Sequence, residues 1–496
     1  MVLVVILTYF LLLFAVSRLS VRNNRNSAFF MAGRQSPWYM VAFGMVGASI
    51  SGVTFVSVPG MVMHSGMTYL QTCMGFILGY FAVAFVLLPI YYRMRLTSIY
   101  TVLRGINDEA YKTGAMFFII SKLLGSAAKF FVPCFIISGA LGVNFYLTTI
   151  ALLALIWLYT RRGGIRTLVW TDTLQTLCML VALLVIIYKV YTLLDFHGVG
   201  ECLSAVAANG YSGVFEFADW DSPNNFFKCF VAGIFIVIVM TGLDQDMMQK
   251  NLTCKSLRDA QKDMCTYGFA FLPVNALFLM LGVMLTMLYA KEGIPLPEKA
   301  DELLSQFIFS PPFREGLGVG SGLLAIFTLG IIATSFSTVD SALTALTTSF
   351  CVDILGKEDD EKARRYVHIG MTLALILCTV MFNVVSTTSS LINTIYTLVS
   401  YTYGPLLGLF AYALSPLKER ERKLGRERKP RWGGVAIVCF ASPLICFAAD
   451  VLVPRFTGYH FGYELLLLNG VITYVLLRVS TKYKSLEPFE PARSAT

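Results

Sequence analysis

The sequence predicts an all-α integral membrane protein with about thirteen transmembrane helices, and three observations predict this fold class. Of its 496 residues, 56% are apolar and only 14% are charged, and the mean hydropathy is +0.68. Apolar runs of about 20 residues, long enough to cross a hydrocarbon core of about 30 Å, recur along nearly the whole chain. This composition is not that of a soluble globular protein, so we predict a single membrane domain.

The apolar runs define thirteen predicted spans, each with bounds good to a few residues. They are 1–19, 38–59, 67–92, 113–141, 144–159, 167–194, 226–248, 268–289, 316–355, 366–385, 391–413, 434–452 and 461–479. We expect the first to be a retained helix and not a signal peptide, because no basic residue precedes it and no small-residue cleavage site follows. The ninth exceeds one crossing and should tilt or project beyond the bilayer.

The position of the basic residues explains the net charge of +9. The loops after odd-numbered spans, with adjoining helix ends and the tail, hold 31 of the 39 Lys and Arg, most densely at 418–431. By the positive-inside rule the N-terminus lies outside and the C-terminus in the cytoplasm, and we expect the protein in the plasma membrane. The charge therefore does not require a nucleic-acid partner.

The cysteines and histidines show no metal-ligand spacing. The eleven Cys are scattered through apolar runs, and we predict that most are small buried residues. Cys202 and Cys229 flank the acidic loop at about 194–225 and could form a disulfide. We place all four His at or beyond predicted helix ends, which argues against a haem, di-metal or zinc site within the bilayer.

Two predicted spans contain residues that favour an interruption of the helix within the membrane. The second span is rich in Gly and hydroxyls at its middle (Gly44, Gly47, Ser49, Ser51, Gly52, Thr54), and the seventh reads Met240-Thr241-Gly242 before Asp244. Interrupted helices five spans apart are typical of transporters built from inverted repeats, with the binding site at the interruptions. The alternative is that small residues serve only close helix packing.

The ninth span carries hydroxyls on one helical stripe, at Thr334, Ser337, Thr338 and Ser341, with Asp340 beside it. A dehydrated sodium ion needs several hard oxygen ligands, which this stripe offers without sulfur or imidazole. The alternative is hydrogen bonding between helices, worth about 1 kcal/mol per contact.

Asp172, Lys122 and Lys129 also lie within predicted spans, where a charge costs at least about 2.5 kcal/mol. Asp172 lies near the start of the sixth span and indicates, with Asp340, a cation path; the alternative is a salt bridge to Arg161 or Arg166. Lys122 and Lys129 lie in the fourth span. Lys129 could pair with an acid, bind an anionic substrate or extend to the outer surface.

Five motifs in order resemble the sodium:solute symporter family over nearly the whole chain. They are FFMAGR at 29–34, GGIRTLVWTDTLQ at 163–175, DQ at 244–245 with QK at 249–250, the Ser337-Thr338 pair, and GPLLG at 404–408. The resemblance implies a LeuT-like five-plus-five inverted repeat whose first and sixth core helices, spans two and seven, are discontinuous. The repeats would cover about 38–194 and 226–413. Span one, two additional helices at 434–479 and a short cytoplasmic tail at 480–496 complete the prediction.

The resemblance also implies two ion sites. The family's common sodium site matches Gly47, Ile50 and Thr334 through backbone carbonyls, and Ser337 and Thr338 through hydroxyls. A second sodium found in some members would match Asp172, Ser337, Asp340 and Ser341. Asp340 departs from the family pattern, which has a hydroxyl there, so the number of sodium ions stays open. The departure could strengthen a second site, or Asp340 could be neutralised by a proton or by Lys129.

The substrate is implied less strongly. Residues 50–59 (ISGVTFVSVP) are similar to the family's sialic acid transporters, where equivalent hydroxyls contact the substrate. On that resemblance Ser51 and Thr54 are the substrate candidates, with Gln71 as a weaker one. The arginine expected to bind a sialic acid carboxylate is missing, and Lys129 is its candidate replacement.

We therefore predict a transporter and not an enzyme. Its function would be sodium-coupled symport of a small organic solute, such as a sialic acid, a sugar or an organic acid, by alternating access, with sodium as coupling ion and no other cofactor. Proton-coupled transport through Asp172 and Asp340 is the alternative. A membrane enzyme would need a base beside Ser337, and a sensor would need a signalling module.

Overall fold

The computed structural model describes residues 2–20, 26–385, 391–415, 426–430 and 434–485. Nineteen helices lie in these ranges. In chain order they are α1 Val2–Ser20, α2 Asn26–Met31, α3 Trp38–Ser49, α4 Gly52–Ser65, α5 Tyr69–Ala82, α6 Leu88–Met94, α7 Asp108–Leu141, α8 Phe145–Gly163, α9 Ile165–Leu193, α10 Val199–Ala208, α11 Phe226–Val237, α12 Gln245–Asn251, α13 Leu257–Lys291, α14 Leu303–Phe309, α15 Ser321–Ser349, α16 Glu361–Val385, α17 Leu391–Ala413, α18 Gly434–Thr457 and α19 Leu465–Ser480.

Shorter elements connect or extend these helices. A π-helical turn, Val83–Leu87, joins α5 to α6, and two more, Ile238–Gly242 and Phe350–Ile354, extend α11 and α15. Two short strands, β1 Arg426–Pro430 and β2 Thr481–Ser485, form an antiparallel pair after α17 and α19. The helical membrane fold predicted from hydropathy is thus confirmed.

Every predicted span coincides with a helix or with two consecutive helices. Among the described residues, seven helices are long and apolar enough to cross a membrane, and two bent pairs raise this number to nine. The pairs are α3 with α4, bent by 63°, and α11 with α12, bent by 70°. Shorter apolar helices include α1, α8 and α19. The total of thirteen crossings stays a prediction.

Polar caps explain why two helices begin earlier than predicted. The Asn107 side chain accepts from the Ala110 amide at 2.7 Å, so α7 starts at Asp108. The Ser256 hydroxyl accepts from the Asp259 amide, so α13 starts at Leu257. Such caps stabilise a helix N-terminus whatever its hydropathy. The predicted spans miss these first turns because the turns are polar and lie outside the apolar run, although the helix includes them.

The helix α15 forms the centre of the bundle. All its residues from Gly330 to Ser349 are buried, and it packs against α3, α7, α9 and α16. The helix α3 packs in turn against α9 and α13. The polar stripe predicted on the ninth span is therefore enclosed by protein, a setting in which polar groups are tolerated at membrane depth.

The structure corrects two predictions about polar residues. All eleven cysteines lie in the described ranges and are free thiols, so Cys202 and Cys229 form no disulfide. His368 does not lie at a helix end, because α16 begins at Glu361, five residues before the predicted span. It is buried, and its two ring nitrogens bond to Thr160 (3.1 Å) and Thr347 (3.0 Å). It therefore joins α8, α15 and α16.

Candidate functional site

The first helix break separates α3 from α4 at Ile50 and Ser51. Both have extended backbone angles, with ψ of 98° and 170°. The Ser51 hydroxyl caps α4 by accepting from the Thr54 amide at 3.4 Å. The break leaves carbonyl groups at the end of α3 without helical partners, so these oxygens become available to other ligands.

The helix α15 contacts this break directly. The Thr338 hydroxyl lies 3.1 Å from the carbonyl oxygen of Ala48 and 3.0 Å from that of Thr334, so it can donate to an oxygen of either helix. Small residues allow the approach. A Cβ at Gly52 would lie 2.3 Å from the Ser335 hydroxyl, and one at Gly47 would lie 2.0 Å from the Thr176 hydroxyl of α9. The break is therefore packed between α9 and α15.

The second break follows the π-helical turn of α11, at Leu243 and Asp244. Its exposed carbonyls are satisfied by tyrosines: Tyr91 donates to the Gly242 carbonyl at 2.8 Å and Tyr100 to the Leu243 carbonyl at 2.9 Å. Asp244 accepts from the Asp246 amide at 2.8 Å and so caps α12. These bonds meet the requirement that irregular backbone at membrane depth find partners within the protein.

Asp244 also joins three parts of the bundle. Its carboxylate lies 3.1 Å from the Lys122 ammonium of α7, which lies 2.7 Å from the Asp246 carboxylate. The Tyr403 hydroxyl of α17 donates to Asp244 at 2.7 Å. Lys122 therefore pairs with two carboxylates, and the second break is held to both α7 and α17.

A cavity with a volume of about 120 Å³ lies between the two breaks. Its walls combine hydroxyls and charged groups with aromatic rings, among them Ser51, Thr54, Lys122, Lys129, Tyr267 and Thr338. Tyr267 bonds to Ser49, and its ring meets that of Tyr80 edge to face at 4.6 Å. Because sites for drug-sized ligands have volumes of about 300–1,000 Å³, this cavity fits a small solute.

Three of the four predicted substrate residues line the cavity: Ser51, Thr54 and Lys129. The two lysines differ, because Lys122 is paired with two carboxylates whereas Lys129 forms no ion pair with any residue that the structure describes. Gln71 lies elsewhere. Its amide donates to the Asn224 carbonyl at 2.9 Å and accepts from the Glu216 amide at 3.1 Å, so it holds the outer loop.

The residues predicted for the common sodium site lie around the first break but do not all face it. Ile50 is at the break, and the Thr338 hydroxyl reaches it. The Thr334 side chain instead donates to the carbonyls of its own helix, Gly330 and Ile331, leaving its carbonyl as the predicted contribution. Ser337 faces α9.

The residues predicted for a second sodium site form a buried polar cluster. Ser337 donates to one oxygen of Asp172 at 2.8 Å. Asp340 accepts from Tyr159 of α8 at 2.5 Å and from Ser341 at 3.3 Å. Asp340 is thus hydrogen-bonded by Tyr159, which the sequence analysis did not single out. Lys129, the partner considered for Asp340 from the sequence, lies in the cavity wall.

The partner of Asp172 is neither Arg161 nor Arg166. Its second carboxylate oxygen lies 2.8 Å from the ammonium of Lys250 in α12, with side chains only 1% and 2% exposed. The motif at 249–250 includes Lys250, but its pairing with Asp172 was not predicted because Lys250 follows the predicted end of the seventh span, where a lysine is ordinary. Its place in the short segment after a predicted helix interruption was the signal available.

Comparison with known proteins extends these findings. The sequence profile of the sodium:solute symporter family matches residues 29–415. The chain is similar to the sodium-dependent multivitamin transporter of Oryctolagus cuniculus, with 24% identity over 395 residues, 77% of this chain and 61% of the relative. It is also similar to the sodium-coupled monocarboxylate transporter 2 of Mus musculus, with 22% identity over 406 residues, 79% of this chain and 64% of the relative. The chain thus matches less than two thirds of either relative's length.

A solved structure shows the same fold. It is that of a Na+-coupled sialic acid symporter in a substrate-bound outward-open state, which aligns with a TM-score of 0.80 over 98% of this chain and 99% of the other. The sequence identity is 17%, so this likeness concerns the fold alone.

Proposed function

The chain belongs to the sodium:solute symporter family, and on that premise we propose that it couples sodium entry to the uptake of a small organic anion. The observation that carries the proposal is the cavity between the two helix breaks, with Thr338 at its edge and Lys129 in its wall. The similarity to a sodium-coupled monocarboxylate transporter supports the same class of substrate.

The proposed sodium site lies where α3 is interrupted beside α15. Its ligands are the carbonyls of Gly47, Ile50 and Thr334 and the hydroxyls of Ser337 and Thr338. Support comes from Thr338, whose hydroxyl lies within 3.1 Å of carbonyl oxygens of both helices. A sodium ion there would draw oxygens from the two helices together, as a hard cation prefers.

The proposed substrate site is the cavity itself. Ser51 and Thr54 supply hydroxyls from the start of α4, and Lys129 supplies the positive charge for a carboxylate. A cation at membrane depth without a partner is costly, so an anionic solute would relieve that cost when it binds. Gln71 is left out of this site, because both ends of its amide bond to the outer loop.

Coupling follows from these two adjacent sites. Sodium binds at the break, stabilises the outward-open state and fixes α4, on which the solute then binds. Opening towards the cytoplasm releases both. The sodium concentration gradient drives uptake, and the membrane potential adds about 2.3 kcal/mol per 100 mV for each net charge that crosses the membrane. Plasma-membrane location and a cytoplasmic C-terminus belong to the same proposal.

A ligand screen tests the proposal first. The melting temperature of the purified protein is measured with sialic acids, monocarboxylates, sugars and amino acids, each in sodium and in potassium, since a bound ligand stabilises the folded state. We expect an acid to raise the melting temperature in sodium only. Equal stabilisation in both salts would contradict sodium coupling, and stabilisation by a neutral sugar alone would contradict the anionic substrate.

A further inference from the structure

Asp172, one of the four residues predicted for a second sodium ion, forms a buried ion pair with Lys250. The Lys250 ammonium lies 2.8 Å from Oδ2 of Asp172, and Ser337 donates to Oδ1 at 2.8 Å. We propose that Lys250 is a tethered cation that takes the place of a second sodium ion, so that this protein binds one sodium ion and not two. The inference rests on the proposed function.

A second sodium ion at the predicted site would need the carboxylates of Asp172 and Asp340. Both oxygens of Asp172 are already engaged, one by a hydroxyl and one by the ammonium. Asp340 is engaged as well, by Tyr159 and Ser341. A sodium ion would have to displace Lys250 or share a carboxylate oxygen with it, and two cations in contact at low dielectric repel each other strongly.

Asp172 and Lys250 are both buried, and their charged groups lie 2.8 Å apart. Buried ion pairs cost desolvation, but an acid left without its cation is strongly destabilising. Lys250 therefore meets the demand for a cation at Asp172 without any ion from solution, and the remaining sodium site is the one at the α3 break.

The position of Lys250 links three helices, α12, α9 and α15. All seven residues of α12 are buried, and this helix begins directly after the second break. Through Lys250 it contacts Asp172 on α9, which in turn accepts from Ser337 on α15. A free ion at this place would join only α9 and α15. The tethered ammonium adds the segment after the second break to the same cluster.

Equilibrium binding of radioactive sodium to the purified full-length protein tests the inference. We expect one sodium bound per wild-type molecule and a Hill coefficient of 1. In Lys250→Ala the freed carboxylate and the space of the missing side chain should admit a second ion, which raises the bound sodium to two. Lys250→Arg should keep one, and Lys255→Ala, which removes an exposed lysine just beyond α12, should behave like the wild type.

Each outcome bears on a different claim. Two sodium ions on the wild type would overturn the inference and leave the proposed function intact, whereas no sodium binding to the wild type would overturn the proposed function. A folded Lys250→Ala protein with one bound sodium would also contradict the inference. If that variant fails to fold, the wild-type number still decides, and Lys250→Ala with Asp172→Asn, which removes both charges, should fold and bind one sodium.

Discussion

Thr338 of α15 donates its hydroxyl to the carbonyl of Ala48, in the last turn of α3 before the helix breaks, at 3.1 Å. The same hydroxyl lies 3.0 Å from the Thr334 carbonyl of its own helix. One side chain thus marks the place where backbone oxygens of the two helices meet.

Removal of the Thr338 hydroxyl should weaken sodium binding. Thr338→Val keeps the shape of the side chain but loses an oxygen ligand, and we expect the sodium concentration for half-maximal stabilisation to rise about tenfold, equivalent to about 1.4 kcal/mol. Titration of the melting temperature with sodium at constant ionic strength measures this. Thr338→Ser is the matched control and should stay near the wild type; an unchanged sodium midpoint in Thr338→Val would count against the site.

Lys129 should determine the affinity for an anionic solute. In Lys129→Met the charge is lost while the length of the side chain is kept, and we expect the affinity for the stabilising acid to fall at least tenfold, with sodium binding unchanged. Isothermal titration with that acid in sodium measures the change. Lys129→Arg should lose less affinity. A Lys129→Met protein that binds the acid as tightly as the wild type would place the anion elsewhere.

Gln71 should affect stability and not solute affinity. Its amide bonds to the outer loop at Asn224 and Glu216 and does not line the cavity. We expect Gln71→Ala to cost about 1 kcal/mol, because it removes two hydrogen bonds to partly buried backbone groups. Its affinity for the acid should match that of the wild type. A selective loss of affinity with normal stability would restore Gln71 to the substrate site.

Gly47 should tolerate no side chain. A Cβ there would lie 2.0 Å from the Thr176 hydroxyl and 2.9 Å from its Cβ, so Gly47→Ala should cost about 1–3 kcal/mol through overpacking. Thr176→Ala in the same protein should restore part of this loss. Gly139→Ala, in α7 with nothing within 4 Å of the added atom, should be harmless. Equal melting temperatures for Gly47→Ala and Gly139→Ala would refute the close approach of α3 to α9.

The sequence predicted the helices and their interruptions well, because a helix that crosses the hydrocarbon core needs about 20 predominantly apolar residues. The Gly and hydroxyls of the second span did indicate the break at Ile50 and Ser51. In the seventh span, Met240-Thr241-Gly242 lies just before the observed break at Leu243 and Asp244. The starts of α7 and α13 were missed because polar caps extend a helix beyond its apolar run.

The site was only partly predictable. Ser51 and Thr54 line the cavity and Thr338 contacts the end of α3, whereas their roles in binding stay predictions. The partners of the charged residues were not predictable, because they come from distant parts of the chain: Lys250 pairs with Asp172, and Tyr159 bonds to Asp340. No local pattern connects residues 78 or 181 positions apart.

Uptake into proteoliposomes tests the central claim most directly. The acid that stabilises the protein is supplied outside, with either an inward sodium gradient at uniform pH or an inward proton gradient without sodium. We predict accumulation above the external concentration with the sodium gradient and none with the proton gradient. Accumulation driven by protons alone, or unaffected by removal of sodium, would contradict the account.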